Sequence, residues 1–272
     1  MNKLYISGLW IIKDWEKKTP EVYMKCLKNT LKMLEGQNLL FLSNANNLLE
    51  FVKKESVSHK IKLITKNKEL QDLPAWDISI DYVNACQRME LNVSPKSSWK
   101  DYQIIKEKGI KHYFRDFNSK NVESYRSALA IWLSKIPLVA DIILQQNFSD
   151  FNQFAWCDAS ISRFNSLRIK SDFTKQADRE FKISHYYSGM NYFTQKIIVS
   201  ASYLSGDRTA WGKLHPIYEK YLQTLRKFAY AHDEETIISH CFEECHELFH
   251  LINPGQKKAN SKNKNKNKNK NK

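Results

Sequence analysis

The first 64 residues alternate short apolar runs with helical patterns, and this order limits the fold more than any other feature of the chain. A run at residues 4–10, interrupted by Ser7-Gly8, predicts a first strand; the run at residues 39–44 predicts a second, buried strand, and residues 61–64 predict a third. Between them, apolar residues recur at helical spacing over residues 22–34 and again over 48–54. Consecutive parallel strands need such crossover connections. We therefore expect an α/β protein with a central, mostly parallel sheet flanked by helices, in which residues 4–10 form a central strand.

The length and composition indicate one large domain that can bury a full core. The chain has 272 residues, of which 42% are hydrophobic and 12% aromatic. Seven Gly and six Pro are few for this length, which argues against an all-β protein built from many tight turns. We expect a single domain over residues 1–255.

The formal net charge of +14 is concentrated near the C-terminal end. Eight Lys lie between Lys257 and Lys272, and they leave +6 for the rest of the chain. This moderate charge suits an anionic ligand or an anionic membrane surface as well as a polynucleotide, so it predicts no specific nucleic-acid partner. Residues 256–272 include a Lys-Asn repeat that cannot form a core, and we expect them to be a disordered tail.

The cysteines and the start of the chain favour a location inside the cell. The five Cys are scattered and form no Cys-x-x-Cys pair, which fits reduced thiols: Cys26, Cys86, Cys157, Cys241 and Cys245. The first apolar stretch is too short for a signal peptide, and no run approaches the ~18 apolar residues of a membrane span. We expect a cytoplasmic protein, including peripheral contact with the anionic inner face of a membrane.

The second half of the chain predicts further helices and strands. An apolar stripe over residues 124–143 predicts a long helix with a kink at Pro137, and residues 154–160 predict a strand. Strands are expected over part of 181–193 and over 196–204, and helices over 211–230 and 236–251. Residues 70–121 show no clean period, and we expect a helix-and-loop insertion over the sheet.

Asp158 follows the apolar run Phe-Ala-Trp-Cys, and this places one carboxylate at a predicted sheet edge. Ligands of α/β proteins bind at the carboxyl ends of the strands. Asp158 can hold a cation, accept a hydrogen bond from a ribose hydroxyl, or cap the next turn, which is the commonest of the three uses. The chain has no Gly-rich phosphate loop, so a bound diphosphate needs a cation on Asp158 or basic side chains such as Lys135 and Arg163.

A second motif, His246-Glu247-x-x-His250, matches the pattern in which two His one helical turn apart bind zinc and a Glu activates water. Three further ligand-type residues precede it: His240, Cys241 and Cys245. No His, Asp, Glu or Cys follows the motif, so the third ligand of a zinc protease is missing downstream. A closing helix with its Cys side chains in the core explains the same residues more simply.

The order of these segments resembles the HtrL/YibB-like family of bacterial proteins, a glycosyltransferase-like group with a GT-A type fold. The similarity spans about residues 3–252. It is carried by the opening strand with Ser7-Gly8, Trp132-Leu133-Ser134-Lys135, the strand ending at Asp158, Ser205-Gly206-Asp207, and Asp233-Glu234-Glu235 before the last helix. The chain departs from the family in having a single acid where GT-A enzymes have an Asp-x-Asp pair, and in having Ala-Ser after that acid.

The resemblance implies transfer of a sugar from a nucleotide-sugar donor to a glycan or lipid-linked glycan acceptor, in lipo-oligosaccharide or capsule synthesis. It implies a divalent cation, Mn²⁺ or Mg²⁺, on Asp158, and donor-site positions for Ser7, Gly8, Lys135, Asp158 and Gly206. A carboxylate would take the proton of the acceptor hydroxyl, and the candidates are Asp207, Asp233, Glu234 and Glu235. Two other classes remain open from the residues: a zinc metallohydrolase using His246 and His250, and a noncatalytic basic binding module.

Overall fold

The computed structural model of the protein describes residues 2–14, 19–88, 122–164, 173–175, 178–192, 195–227 and 233–252. Most of the expected insertion at residues 70–121 and the expected Lys-Asn tail at residues 256–272 lie outside the described residues. The limits expected for the single domain, residues 1–255, stay a prediction.

The described residues contain one seven-stranded sheet. Its strands are β1 (Lys3–Gly8), β2 (Asn38–Ser43), β3 (Lys62–Asn67), β4 (Gln153–Cys157), β5 (Ile183–Tyr192), β6 (Gln195–Asp207) and β7 (Phe249–Leu251). The order across the sheet is β3-β2-β1-β4-β6-β5-β7. Strands β1 to β4 run parallel, β6 is antiparallel to β4 and β5, and β7 is parallel to β5.

Helices cover both faces of this sheet. They are α1 (Pro20–Met33), α2 (Asn46–Ser58), α3 (Trp76–Arg88), α4 (Val122–Leu133), α5 (Lys135–Leu144), α6 (Arg208–Leu225) and α7 (Glu234–Glu244). Short 3-10 helices lie at Leu70–Asp72, Gln146–Phe148, Ile161–Phe164, Phe173–Lys175 and His246–Leu248. The expected α/β fold, a mostly parallel sheet flanked by helices, is confirmed.

Alternate residues of β1 point into two cores. Tyr5 belongs to the first core, which α1 and α2 cover with side chains such as Leu27 and Val52. Leu4 and Ile6 belong to the second core, to which α3–α7 contribute Val83, Leu129, Ile136, Leu214 and Ile237. Successive side chains of a strand face opposite sides, so a central strand with both faces covered is apolar throughout. This explains the apolar run Leu4-Tyr5-Ile6 within β1.

The chain changes direction across the sheet at β1. From β1 it moves to β2 and β3 on one side, and it later returns to place β4 on the other side. β1 and β4 are parallel, with Ile6 opposite Trp156, so their carboxyl ends lie side by side. The connections leaving two such strands diverge, which opens a crevice at the carboxyl edge. The sheet thus has a topological switch point between β1 and β4.

A break at Ser134 divides the helix expected over residues 124–143. The axes of α4 and α5 are bent by 51°. Pro137 lies in the first turn of α5, where the missing N–H costs nothing because the first four N–H groups of a helix have no partner within it. The break lies three to four residues before Pro137, where its ring and its missing N–H interrupt a continuous helix, so the kink expected from Pro137 is found at Ser134. The Ser134 hydroxyl also accepts a hydrogen bond from the Ala75 N–H at 3.0 Å, which ties the break to the segment before α3.

Within the described residues, no single helix is long and apolar enough to cross a membrane. The α4 and α5 pair meets the length and composition criteria only when taken together across its bend.

Candidate functional site

Lys135, Asp158 and Glu234 meet at the carboxyl edge of the sheet, and we call these three residues the Lys135 cluster. Asp158 follows the last residue of β4, while Lys135 and Glu234 are the first residues of α5 and α7. The Lys135 Nζ lies 2.9 Å from the Asp158 Oδ1 and 2.5 Å from the Glu234 Oε1. The three side chains are only 6%, 15% and 8% exposed, respectively. The structure therefore brings three of the sequence-predicted site residues into one buried group.

Local structure fixes the direction of the Asp158 carboxylate. The Asp158 N–H donates to the Ser202 carbonyl of β6 at 2.9 Å, which extends the pairing of β4 by one residue. Trp156 and Asp158 are two residues apart, so their side chains leave the same face of the strand. The Trp156 Nε1–H donates to the Asp158 Oδ1 at 2.9 Å. The carboxylate therefore receives an indole donor as well as the Lys135 ammonium.

Lys135 begins α5 with a positive charge, which is the sign that a helix N-terminus disfavours. The two carboxylates of the cluster offset this cost. The Nζ also lies 3.5 Å from the Ala201 carbonyl oxygen of β6 and 5.9 Å from the centre of the Trp156 ring. The ammonium is thus enclosed by oxygen atoms and an aromatic face.

The pKa values of the cluster follow from burial opposed by ion pairing. Burial by itself lowers the pKa of Lys135, but Asp158 and Glu234 outweigh it and hold that pKa above its usual value. Burial opposes ionisation of Asp158, yet Lys135 and then Arg163 hold its pKa below the usual value. For Glu234, burial dominates and raises the pKa although Lys135 opposes the rise. Of the two carboxylates that contact Lys135, Asp158 is therefore the one that more readily stays ionised.

The other two acids of the Asp233-Glu234-Glu235 segment have separate partners. The Asp233 Oδ1 accepts hydrogen bonds from the Thr236 N–H at 2.9 Å and the Thr236 hydroxyl at 2.8 Å, which caps α7. The Glu235 Oε1 accepts from the Ala201 N–H at 3.1 Å, and its Oε2 accepts from the Ser188 hydroxyl at 3.3 Å. Burial, helped by the two preceding acids, raises the pKa of Glu235 to about 8. Glu235 is therefore mostly protonated at neutral pH.

Arg163 is a second cation near Asp158, and it is more exposed than Lys135. It lies in the 3-10 helix after β4, its side chain is 35% exposed, and its Nη2 lies 4.0 Å from the Asp158 Oδ2. The Nη1 donates to the Ser160 hydroxyl at 3.2 Å, and the guanidinium lies 4.4 Å from the centre of the Phe164 ring. Because the Lys135 ammonium is enclosed, Arg163 is the cation of this pair that an anionic ligand can reach from solvent.

Ser7 and Gly8 end β1 at the same edge, but neither offers a side chain to a ligand there. Ser7 is 1% exposed and follows the alternation of Tyr5 toward the first core, on the face opposite to Asp158. Among the described residues, its hydroxyl has no hydrogen-bond partner. Gly8 lies under the Trp10 ring, which a Cβ at residue 8 would overlap. The Trp10 Nε1–H donates to the Lys68 carbonyl at 2.8 Å, which holds the ring in place.

Gly206 and Asp207 lie at the opposite edge of the sheet from the Lys135 cluster. β6 is antiparallel to β4, so Asp207 faces the first residue of β4 whereas Asp158 follows the last. The separation along the strands is roughly 15 Å at about 3.3 Å per residue. Asp207 caps α6 by accepting from the Ala210 N–H at 2.8 Å, and it also accepts from the Phe181 N–H at 2.6 Å. The sequence pattern predicts that Gly206 and Asp207 share a site with Asp158. The structure instead separates them from Asp158.

The donor set around Asp158 does not fit a divalent cation. Mg²⁺ and Ca²⁺ take about six to eight oxygen ligands at about 2.0–2.6 Å. The Asp158 Oδ1 already accepts from Trp156 and Lys135, and the second carboxylate, Glu234, lies on the far side of the Lys135 Nζ. In the described part of the chain, no group of three or more His, Cys, Asp or Glu side chains is arranged to hold a metal ion.

The His246-Glu247-x-x-His250 motif does not lie on one helix, as a zinc site of this type requires. α7 ends before it, the first three residues of the motif form a 3-10 helix, and His250 belongs to β7. His250 pairs with Ser184 of β5, and the His246 side chain is 78% exposed. The closing helix expected over residues 236–251 is therefore wrong after residue 244. Pairing of β7 with β5 fixes an extended backbone where the local pattern favoured a helix.

The fold and the site together define a class: an α/β protein with a buried Lys and carboxylate cluster at its switch point. No protein-family model matches the chain, and no curated protein matches it. Among solved structures, core-mannan synthase A from Aspergillus fumigatus, in a Mn/GDP form, is similar with a TM-score of 0.47 and 9% identity, over 93% of this chain and 73% of that one. A structure described only as a transferase has a TM-score of 0.45 and 10% identity, over 89% of this chain and 85% of that one. Likeness at this level assigns no family, and the resemblance to the HtrL/YibB-like family stays a prediction.

Proposed function

We propose that the protein is a glycosyltransferase of the GT-A type that transfers a sugar from a nucleotide-sugar donor to a glycan or lipid-linked glycan acceptor of a bacterial surface. The observation that carries this proposal is the position of Asp158, which follows β4 at the switch point between β1 and β4. Doubly wound α/β proteins bind nucleotides in that crevice. The HtrL/YibB-like resemblance supports the same activity. We also propose that the protein acts in the cytoplasm, with peripheral contact to the membrane.

Asp158 and Arg163 are the residues that we assign to the donor. The Asp158 Oδ2 lies 4.0 Å from the Arg163 Nη2, and a carboxylate oxygen can accept a hydrogen bond from a ribose or sugar hydroxyl. The planar Arg guanidinium matches the geometry of phosphate oxygens. As the bond between the anomeric carbon and the diphosphate breaks, negative charge develops on the leaving group. A preorganised cation at Arg163 stabilises that charge.

The acceptor hydroxyl forms a new bond to the anomeric carbon, and its proton passes to a carboxylate. Among the four candidate acids, Asp207 lies at the opposite edge, Asp233 caps α7, and Glu234 is paired with Lys135. Glu235 has a pKa of about 8, which is close to the range where a general acid or base works best near neutral pH. We therefore assign the ionised form of Glu235 as proton acceptor and Glu234 as a residue that positions Lys135.

The proposal is tested by measuring thermal shifts of the purified protein with a panel of nucleoside diphosphates, followed by hydrolysis or transfer assays with the matching nucleotide sugars. A ligand that binds only the native state raises the melting temperature. We expect Asp158→Asn to remove both the shift and the activity. Asp178→Asn is the matched control, because Asp178 is also a buried acid paired with a Lys, at 2.7 Å from the Lys3 Nζ, but belongs to another cluster.

Two results contradict the proposal: a wild-type protein that neither binds nor turns over any member of the panel, or an Asp158→Asn variant that keeps full activity. Binding of a diphosphate without turnover of any sugar donor would instead favour the noncatalytic binding module. The zinc metallohydrolase is not favoured, because His246 and His250 do not lie on one helix as its motif requires.

A further inference from the structure

The Lys135 ammonium occupies a cage made by three oxygen atoms from three parts of the chain. The Asp158 Oδ1 lies at 2.9 Å, the Glu234 Oε1 at 2.5 Å and the Ala201 carbonyl oxygen at 3.5 Å. The Lys135 side chain is 6% exposed, so this cage is closed to bulk water on most sides. Two of the three oxygen atoms belong to carboxylates, and the third is a backbone carbonyl oxygen.

Carboxylate and carbonyl oxygens are the ligands that Mg²⁺ and Mn²⁺ prefer. The cage thus has the chemistry of a divalent-cation site, with an ammonium at the position that the ion would take. A second cation cannot enter while Lys135 is present, because two positive charges a few ångströms apart in a buried site repel strongly. The buried Lys3 and Asp178 pair provides a contrast, since there one Lys faces one carboxylate.

We propose that Lys135 is the resident cation of this site: its ammonium excludes divalent cations from Asp158 and Glu234, and its removal converts the two carboxylates into a divalent-cation site. The part of this inference that concerns a donor rests on the proposed function. A nucleoside diphosphate would bind the wild-type protein without a metal ion, with Arg163 as its cationic contact.

The metal part is tested with Mn²⁺ alone on chelator-treated, desalted protein. Electron paramagnetic resonance measures free Mn²⁺, whose signal falls when the ion binds. We expect wild-type protein to leave the free signal unchanged and Lys135→Ala to bind about one Mn²⁺ per chain, with a rise of about 5 °C in its melting temperature on saturation. Lys135→Ala combined with Asp158→Asn should lose that binding. Lys3→Ala, the matched control, should gain none because it exposes a single carboxylate.

Stoichiometric Mn²⁺ binding by wild-type protein that disappears in Asp158→Asn overturns the inference, and this arm needs no variant of Lys135. Failure of folded Lys135→Ala, or of Lys135→Ser where the Ala variant does not fold, to bind Mn²⁺ also overturns it. The donor part is tested by adding nucleoside diphosphates to wild-type protein with chelator or with Mn²⁺, and equal thermal shifts are expected. If no diphosphate binds in either buffer, the proposed function fails while the Mn²⁺ result stands by itself.

Discussion

Replacement of Lys135 by Met removes the ammonium while keeping an unbranched apolar side chain of similar length. Asp158 and Glu234 then remain buried without the counterion that lies 2.9 Å and 2.5 Å from their oxygen atoms. Removal of one partner of a buried ion pair costs about 3–5 kcal/mol, because the remaining charge is left unpaired in a medium that solvates it poorly. We expect the free energy of unfolding at pH 7 to fall by about 4 kcal/mol.

Protonation of one carboxylate limits this loss and makes it depend on pH. To protonate a Glu of ordinary pKa near 4.3 costs about 3.7 kcal/mol at pH 7 and about 1 kcal/mol at pH 5, at about 1.36 kcal/mol per pH unit. Lys135 opposes the raised pKa of Glu234, so its loss raises that folded-state pKa further above the unfolded value. A group with a raised folded-state pKa stabilises the fold below its unfolded pKa and loses that contribution as the pH rises. Because the pKa of Glu234 is already raised in wild type, wild type gains part of the same stability, and the deficit should shrink by up to about 3 kcal/mol from pH 7 to pH 5.

Urea unfolding followed by far-ultraviolet circular dichroism at pH 5, 6 and 7 measures this deficit. Lys53→Met is the control, because Lys53 pairs with Glu50 at 2.7 Å on the surface, where the two side chains are 51% and 69% exposed. Such exposed pairs contribute below about 1 kcal/mol, so the control should stay close to wild type at each pH. A loss below about 1 kcal/mol at pH 7, or an equal loss at pH 5 and pH 7, would refute the reasoning.

Three further variants test other parts of the structure by the same unfolding measurements. Asp207→Ala removes the cap of α6 and should cost about 1–2 kcal/mol without changing ligand-induced thermal shifts, whereas a lost shift would place Asp207 at the site after all. Glu235→Gln should be more stable than wild type at pH 8 and similar at pH 5, because wild type loses stability as the pH rises from the unfolded pKa near 4.3 to the folded pKa of about 8; a pH-independent difference contradicts this. Ser134→Ala leaves the buried Ala75 N–H without its acceptor and should cost about 1–3 kcal/mol, so an unchanged midpoint would show that the break does not depend on this bond.

The order of the first strands could be predicted because β1 and β2 are buried and leave short apolar runs, and because β3 begins with a short run of its own although its side chains are half-buried or exposed. β1, β2 and β3 begin within about one residue of the predicted positions, since Gly36 and the polar loops interrupt the pattern locally. The break at Ser134 could be predicted from Pro137, but the hydrogen bond that Ser134 accepts from Ala75, 59 residues away, could not. β7 was missed for the same kind of reason, since its extended backbone depends on pairing with β5.

The candidate site could be predicted where it depends on parallel strands and failed where it depends on strand direction. Asp158 was placed at the carboxyl edge by the apolar run before it, and the structure adds Lys135 and Glu234 beside it. Asp207 was misplaced because nothing in its local sequence shows that β6 is antiparallel to β4. Trp156 was not identified as a site residue, although an indole two positions before an acid on a strand is a readable signal.

The three members of the Lys135 cluster enter the growing chain at very different times. Lys135 and Asp158 are 23 positions apart, whereas Glu234 is made 76 residues after Asp158. Domains generally fold as units, so the cluster is complete only when α7 has been made. Lys135 and Asp158 by themselves form a pair without net charge, and the docking of α7 adds a second carboxylate to it. The final charge of the cluster is thus set by α7, which is made after every strand of the sheet except β7.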